Sequence, residues 1–198
     1  MSSAPYLPTH INLSHLRDLT IEHGEGWGYA HVCRVIHLVE QIGTGMDYDQ
    51  DVILYAAYLH DWGAFPRYRR SGVEHALRSV QIAEIEILPH TTLTAASREA
   101  VLDAIALHDY RDLRPAAAAE ALLLREADML DMLGLIGILR EFSWGPKDIK
   151  IPLERVQSCM QTIPNRLSLP TAQVIARQRL ARMDQALHWF KEESFEDF

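Results

Sequence analysis

Cysteine is scarce in this chain. Cys33 and Cys159 are the two cysteines in 198 residues. They are too few for a disulfide framework, and neither belongs to a CxxC pair. The expectation is two reduced, buried thiols. Long apolar runs are also missing. No stretch approaches the roughly 18 residues a membrane span needs, and no charged-then-apolar leader opens the sequence. A cytoplasmic protein with no membrane partner is expected. Basic residues are outnumbered, 19 against 27 acidic, giving a net charge of −8. An extended nucleic-acid surface needs the opposite balance. A small anionic substrate remains admissible, because a metal cation and a few local arginines can invert the field inside a pocket. No alternating stretch is long enough for a strand, and no internal repeat stands out.

What is present is an ordinary globular composition, 48% apolar and 23% charged. The length supports one domain, residues 1–198, with a core that needs no staples. Helical periodicity dominates. Helices are expected at about Ser14 to His23 with Ser14 as cap, Tyr29 to Ile42, and Gln50 to His60. An irregular loop, "DWGAFPRYRRSG", follows. Further helices span about Glu74 to Leu88, ended by Pro89, and Ala96 to Leu107. Then come Ala118 to Met132 and a short helix to Phe142. "SWGPKDIKIP" is a break before two last helices, about Leu153 to Ile163 and Thr171 to Glu193. The fold class is all-α, an irregular bundle of about eight or nine helices.

Four segments set metal-capable side chains on apolar stretches. The first is His31 in "GYAHVCRV". The second is the adjacent pair His60-Asp61 in "YLHDWG". The third is His108 in "AIALHDYR", and the fourth is Asp128 in "LLLREADMLDMLG". An Asp among so many leucines is expensive to bury unless it is paired, protonated or metal-bound. Divalent metals favour imidazole and carboxylate donors held on rigid elements. Four such segments in a short chain suggest one shared site. Ten histidines need sorting. His10, His15, His23, His37, His90 and His188 fall outside the pattern. Trp27 and Trp62 flank the candidate segments and are expected to pack.

The ordered set His31, His60-Asp61, Asp128 resembles the HD superfamily of metal-dependent phosphohydrolases. With His75 in "GVEHALRSVQIAEIEIL", and "EALLLREADMLDMLGLIGILR", it is similar to a bacterial HD-hydrolase subfamily over about Gly26 to Arg140. The helices after about residue 150 lie beyond that core. The resemblance implies an HD-domain-like fold, with His31, His60, Asp61 and Asp128 on one divalent metal. His75 and His108 take the places of two extra histidines that hold a second metal in some members, with Asp61 bridging. In that reading, His60 and Asp61 are the catalytic pair. The metal is one or two ions among Mn, Fe, Co, Ni, Mg or Zn. Where the subfamily usually has Arg after the last ligand Asp, this chain has Met129.

The implied chemistry is phosphoryl hydrolysis of a small phosphate ester or nucleotide. A divalent cation lowers the pKa of bound water towards about 7, and attack then needs charge neutralisation more than covalent chemistry. Arg67, Arg69 and Arg70 directly follow the ligand pair and are candidate phosphate donors, as is Arg140 in "GILR". Asp109, beside His108, and Asp131, one helical turn past Asp128, are candidates to orient ligands. Arg34 is expected to ion-pair within the bundle. Two alternatives stay open: a di-iron oxygenase using the same six ligands, and a non-catalytic nucleotide-sensing module. The substrate and the oligomeric state are open as well.

Overall fold

The computed structural model describes residues 10–145 and 147–195. Among these residues the chain is helical throughout, with nine α-helices and no strand. They are α1 (Leu13–His23), α2 (Gly28–Ile42), α3 (Gln50–Leu59), α4 (His75–Ile82), α5 (Ala95–Leu107), α6 (Ala119–Asp131), α7 (Gly134–Trp144), α8 (Lys150–Thr162) and α9 (Pro170–Glu193). None is long and apolar enough to cross a membrane. The break expected at "SWGPKDIKIP" is shorter, because α7 runs on through Trp144 and α8 already starts at Lys150; its Pro146 lies outside the described residues, as do residues 1–9 and 196–198 of the expected domain.

Two further boundaries differ from expectation. The cap of α1 is Asn12, not Ser14. The Asn12 side chain accepts from the His15 amide at 3.1 Å, and the His15 ring faces the Asn12 amide in return. A short polar side chain outside the first turn satisfies amides that the helix leaves open, and Ser14 already lies inside it. The fourth helix also stops being an α-helix before Pro89. It widens into a π-turn over Ala83–Ile87 and tightens into a 3-10 turn over Leu88–His90. Pro89 has no N–H to donate, and its ring would crowd the carbonyl one turn back. The wider turn relieves both.

Helix α6 is the axis of the bundle. It packs against α2, α3, α5, α7 and α9. Leu123, Leu124, Ala127, Met129 and Leu130 are fully buried on it. A helix that is apolar nearly all round belongs at the centre of a core. It nevertheless carries Glu126, Asp128 and Asp131. Glu126 is fully buried. It accepts from the Ser168 amide at 2.7 Å, the Ser168 hydroxyl at 2.6 Å and the Leu169 amide at 3.1 Å. A side chain of the core helix thus satisfies amides at the start of α9 and anchors that last helix. The other two carboxylates point to a different centre.

Candidate metal centre

Five helix ends deliver the polar side chains. His31 projects from the first turn of α2. His60 follows the last residue of α3, and Asp61 precedes the 3-10 turn Trp62–Ala64. His75 opens α4, His108 follows α5, and Asp128 lies in the last turn of α6. The turn after Asp61 is fixed by tight packing. A Cβ on Gly63 would lie 2.1 Å from the His75 carbonyl and 2.8 Å from the Ser79 amide. The Gly63 amide itself donates to Ser79 Oγ at 2.8 Å. Trp62, fully buried, donates its indole N–H to Thr20 at 3.2 Å and stacks on Tyr68. Trp27 packs edge-on against Phe65.

The six side chains meet at one place. Asp61 stands between two histidine pairs. Its Oδ2 lies 3.4 Å from His31 Nε2 and 3.7 Å from His60 Nε2. Its Oδ1 lies 3.6 Å from His75 Nε2 and 3.8 Å from His108 Nε2. Asp128 Oδ1 lies 3.3 Å from His31 Nε2. Within each pair the Nε2 atoms nearly touch: 3.0 Å for His31 and His60, 3.1 Å for His75 and His108.

The other ring nitrogens decide the chemistry. His60 Nδ1–H donates to the Ala57 carbonyl at 2.8 Å, and His108 Nδ1–H donates to the Ile105 carbonyl at 2.7 Å. A carbonyl can only accept, so in each neutral ring Nε2 is a bare lone pair. His31 Nδ1 faces the Asp131 carboxylate at 2.7 Å. Much of the inward surface of the cluster, at His60, His108, Asp61 and Asp128, is therefore lone pairs and carboxylate oxygens. Acceptors at contact distance repel unless a positive charge lies among them. Two groups of three donors, His31/His60/Asp61 and Asp61/His75/His108, each lie within 4.8 Å of one another. Nitrogen and oxygen donors without sulfur suit a divalent cation.

Burial and charge give a consistent ionisation. Burial pushes His60 and His108 below the usual histidine range, which keeps them neutral. Burial pushes Asp61 up, but His60 and His31 outweigh it and hold its carboxyl below the ordinary range. Asp128 is held far below it too, its burial overcome chiefly by His31. His31 is pushed up to about 9: burial lowers it, and hydrogen bonding to Asp128 and Asp131 more than compensates. Without a cation, the proton on His31 is the positive charge the cluster requires.

Asp131 is the hub behind His31. It is fully buried. Besides His31 it accepts from Arg34 Nε at 2.7 Å, Arg34 Nη2 at 2.9 Å and Arg140 Nη1 at 2.9 Å. It thereby orients the His31 ring, and Arg34 ion-pairs within the bundle. Arg140 is shared, since it also lines a cavity of about 250 Å³ that opens onto Asp61, His75 and Asp128. Asp109 Oδ2 lies 3.8 Å from His75 Nδ1.

The loop arginines do not reach the centre. Arg67, Arg69 and Arg70 are exposed and do not line that cavity. Arg67 donates instead to His23 Nε2 at 3.3 Å. Proximity in sequence misled here, because the 3-10 turn after Asp61 leads the chain away from the cluster. The arginine that does line the cavity beside Arg140 is Arg111, which the sequence reading passed over although it follows His108-Asp109 directly. Of the remaining histidines, His10, His15, His37, His90 and His188 are exposed.

Comparison with known proteins agrees with this fold. Residues 28–133 match the HD domain family. A predicted HD superfamily hydrolase from an uncultured Thermotogales bacterium has a similar structure, with a TM-score of 0.67 at 22% identity, over 91% of this chain and 92% of that one. YpgQ from Bacillus subtilis, solved in complex with ADP, gives a TM-score of 0.69 at 20% identity, over 92% of this chain and 97% of that one. An HD-superfamily hydrolase from Bacillus thuringiensis gives 0.63 at 20%, over 91% and 93%. No curated protein matches. This chain belongs to the HD domain family.

Proposed function

We propose that this HD-domain protein is a metal-dependent phosphohydrolase acting on a small phosphate ester or nucleotide. One observation carries the reading: the two oxygens of Asp61 face two different histidine pairs. Such a carboxylate would serve two divalent ions at once, which His31, His60 and Asp128 would hold on one side and His75 and His108 on the other. Bound there, divalent ions supply concentrated positive charge and lower the pKa of water.

The residues of the chain account for the rest. Asp61 and His60 hold the centre at the rigid end of α3. The Ala57, Ile105 and Asp131 acceptors fix three of the four imidazoles, so their lone pairs need no reorganisation. Arg140 and Arg111 give the cavity two guanidinium groups, which match phosphate oxygens. Together with bound cations they would outweigh the carboxylates of Asp61, Asp109 and Asp128 in the same lining and draw an anion in. The ADP bound to YpgQ supports a nucleotide as the substrate class.

The test combines metal analysis with a phosphate-release screen over nucleotides and sugar phosphates. His60→Ala and Asp61→Ala should each lose bound metal and turnover together. Phosphate release by Asp61→Ala protein at wild-type rate would overturn the assignment. So would iron-dependent oxygen consumption by the wild-type protein without phosphate release.

A further inference from the structure

The two sides of Asp61 are not equally built. His31, His60 and His108 are at most 1% exposed, and each has an acceptor for its Nδ1–H within 2.8 Å. His75 differs. Its side chain is 25% exposed, and the facing acceptor, Asp109 Oδ2, stands off at 3.8 Å. Arg111 explains the gap. Its Nε lies 3.0 Å and 3.1 Å from the two Asp109 oxygens, its Nη2 also bonds to Oδ2, and its amide donates to Oδ1 at 2.8 Å. The carboxylate that would anchor His75 is taken by a guanidinium. That guanidinium is more than half exposed and lines the same cavity as Asp61 and His75.

We propose that Arg111 is an anion-responsive positioning residue, which releases Asp109 to His75 when a phosphate enters the cavity. The inference rests on the metal-centre reading above. An entering phosphate competes with Asp109 for Arg111, since both are oxyanions that take the same two-pronged guanidinium contact. Asp109 then swings to accept from His75 Nδ1–H. An anchored imidazole is a better ligand than a free one, by roughly 10- to 100-fold in metal affinity for a typical supporting contact. Phosphate and the cation on the His75/His108 side therefore bind cooperatively, through Arg111, Asp109 and His75 in turn.

The probe is Mn²⁺, titrated calorimetrically into the full chain with and without inorganic phosphate. Wild-type protein takes up Mn²⁺ in a tight and a weak step, and phosphate tightens the weak step about tenfold. Arg111→Gln, at an exposed position, tightens the weak step by a similar factor without phosphate and loses most of the phosphate effect. Simple removal of a positive charge would also tighten binding, so a second background separates the two causes. In Asp109→Ala protein, Arg111→Gln brings only the smaller gain from the lost charge, because there is no carboxylate to release. A gain in that background as large as the one with Asp109 present overturns the relay. So does a weak step that Arg111→Gln leaves unchanged, or a phosphate effect that survives it in full. Absence of any Mn²⁺ uptake by wild-type protein would instead overturn the metal-centre reading beneath.

Discussion

Asp131→Asn is the sharpest test of how the cluster is held. The carboxylate is fully buried and satisfies four donors from His31, Arg34 and Arg140. The amide has the same shape but no charge, and it presents an NH2 where an acceptor stood. Removing one partner from a buried ionic group costs about 3–5 kcal/mol. Arg34 and Arg140 are 32% and 30% exposed, so solvent screens part of that loss. The expected cost at neutral pH is therefore about 2–3 kcal/mol in metal-free protein. At roughly 2–4 °C per kcal/mol for a chain of this size, the melting temperature falls by about 4–12 °C. The pH dependence has a definite sign. Burial pushes Asp131 up, but His31 and Arg34 outweigh it and hold its carboxyl far below the ordinary range. Its stabilisation is then present above the unfolded value of about 4 and is lost as pH falls towards the folded value. Urea unfolding of both proteins at about pH 7 and about pH 3 reads this directly. The gap between them should be widest at neutral pH and shrink in acid. A gap under about 0.5 kcal/mol at pH 7, the size of an ordinary surface change, would refute the argument. So would a gap that stays constant in acid.

Three further outcomes are expected. Gly63→Ala should cost at least about 2 kcal/mol in urea unfolding, because its methyl would strike backbone of α4; a neutral result would mean that the turn and α4 are not in contact. Glu126→Ala should expose the Ser168 and Leu169 amides to hydrogen exchange, since it strips the acceptor from the start of α9; unchanged protection would show that another group caps that helix. For His31, raised to about 9, the stabilisation is fully present below about pH 6.5 and lost as pH rises through about 9. Metal-free protein should lose about 3 kcal/mol across that window, and Mn²⁺ loading should flatten the decline by displacing the proton. Identical urea midpoints with and without Mn²⁺ across the window would contradict it.

Much of the architecture was legible because periodicity reports burial. The nine helices follow the apolar pattern, and α6 was marked by carboxylates set among leucines. The convergence of His31, His60, Asp61, His108 and Asp128 was legible for the same reason, since polar groups on buried faces need company; His75, a quarter exposed, entered only through the family resemblance. The arginines were not. Arg67, Arg69 and Arg70 are near Asp61 along the chain, but direction in space after Gly63 is set by packing on α4. Arg111 sits equally close to His108, yet nothing in its local sequence distinguishes it from a solvated loop residue. The π-turn in the fourth helix escaped notice as well. Pro89 signals a stop, but where the strain is relieved upstream depends on neighbours that sequence order does not name.

The contact between Gly63 and α4 has one more consequence. Asp61 and His75 are separated by a loop, yet their relative position is set by a seam of backbone against backbone at Gly63, His75 and Ser79. The loop closes that seam but does not create it. Its stretch from Arg69 to Gly72 is exposed, and Gly72 turns with φ of 76°. Loop length adds little to closure entropy. Residues inserted there, away from the cavity lining, should therefore leave Asp61 and His75 in register. The loop is thus mechanically insulated from the two ligands it joins.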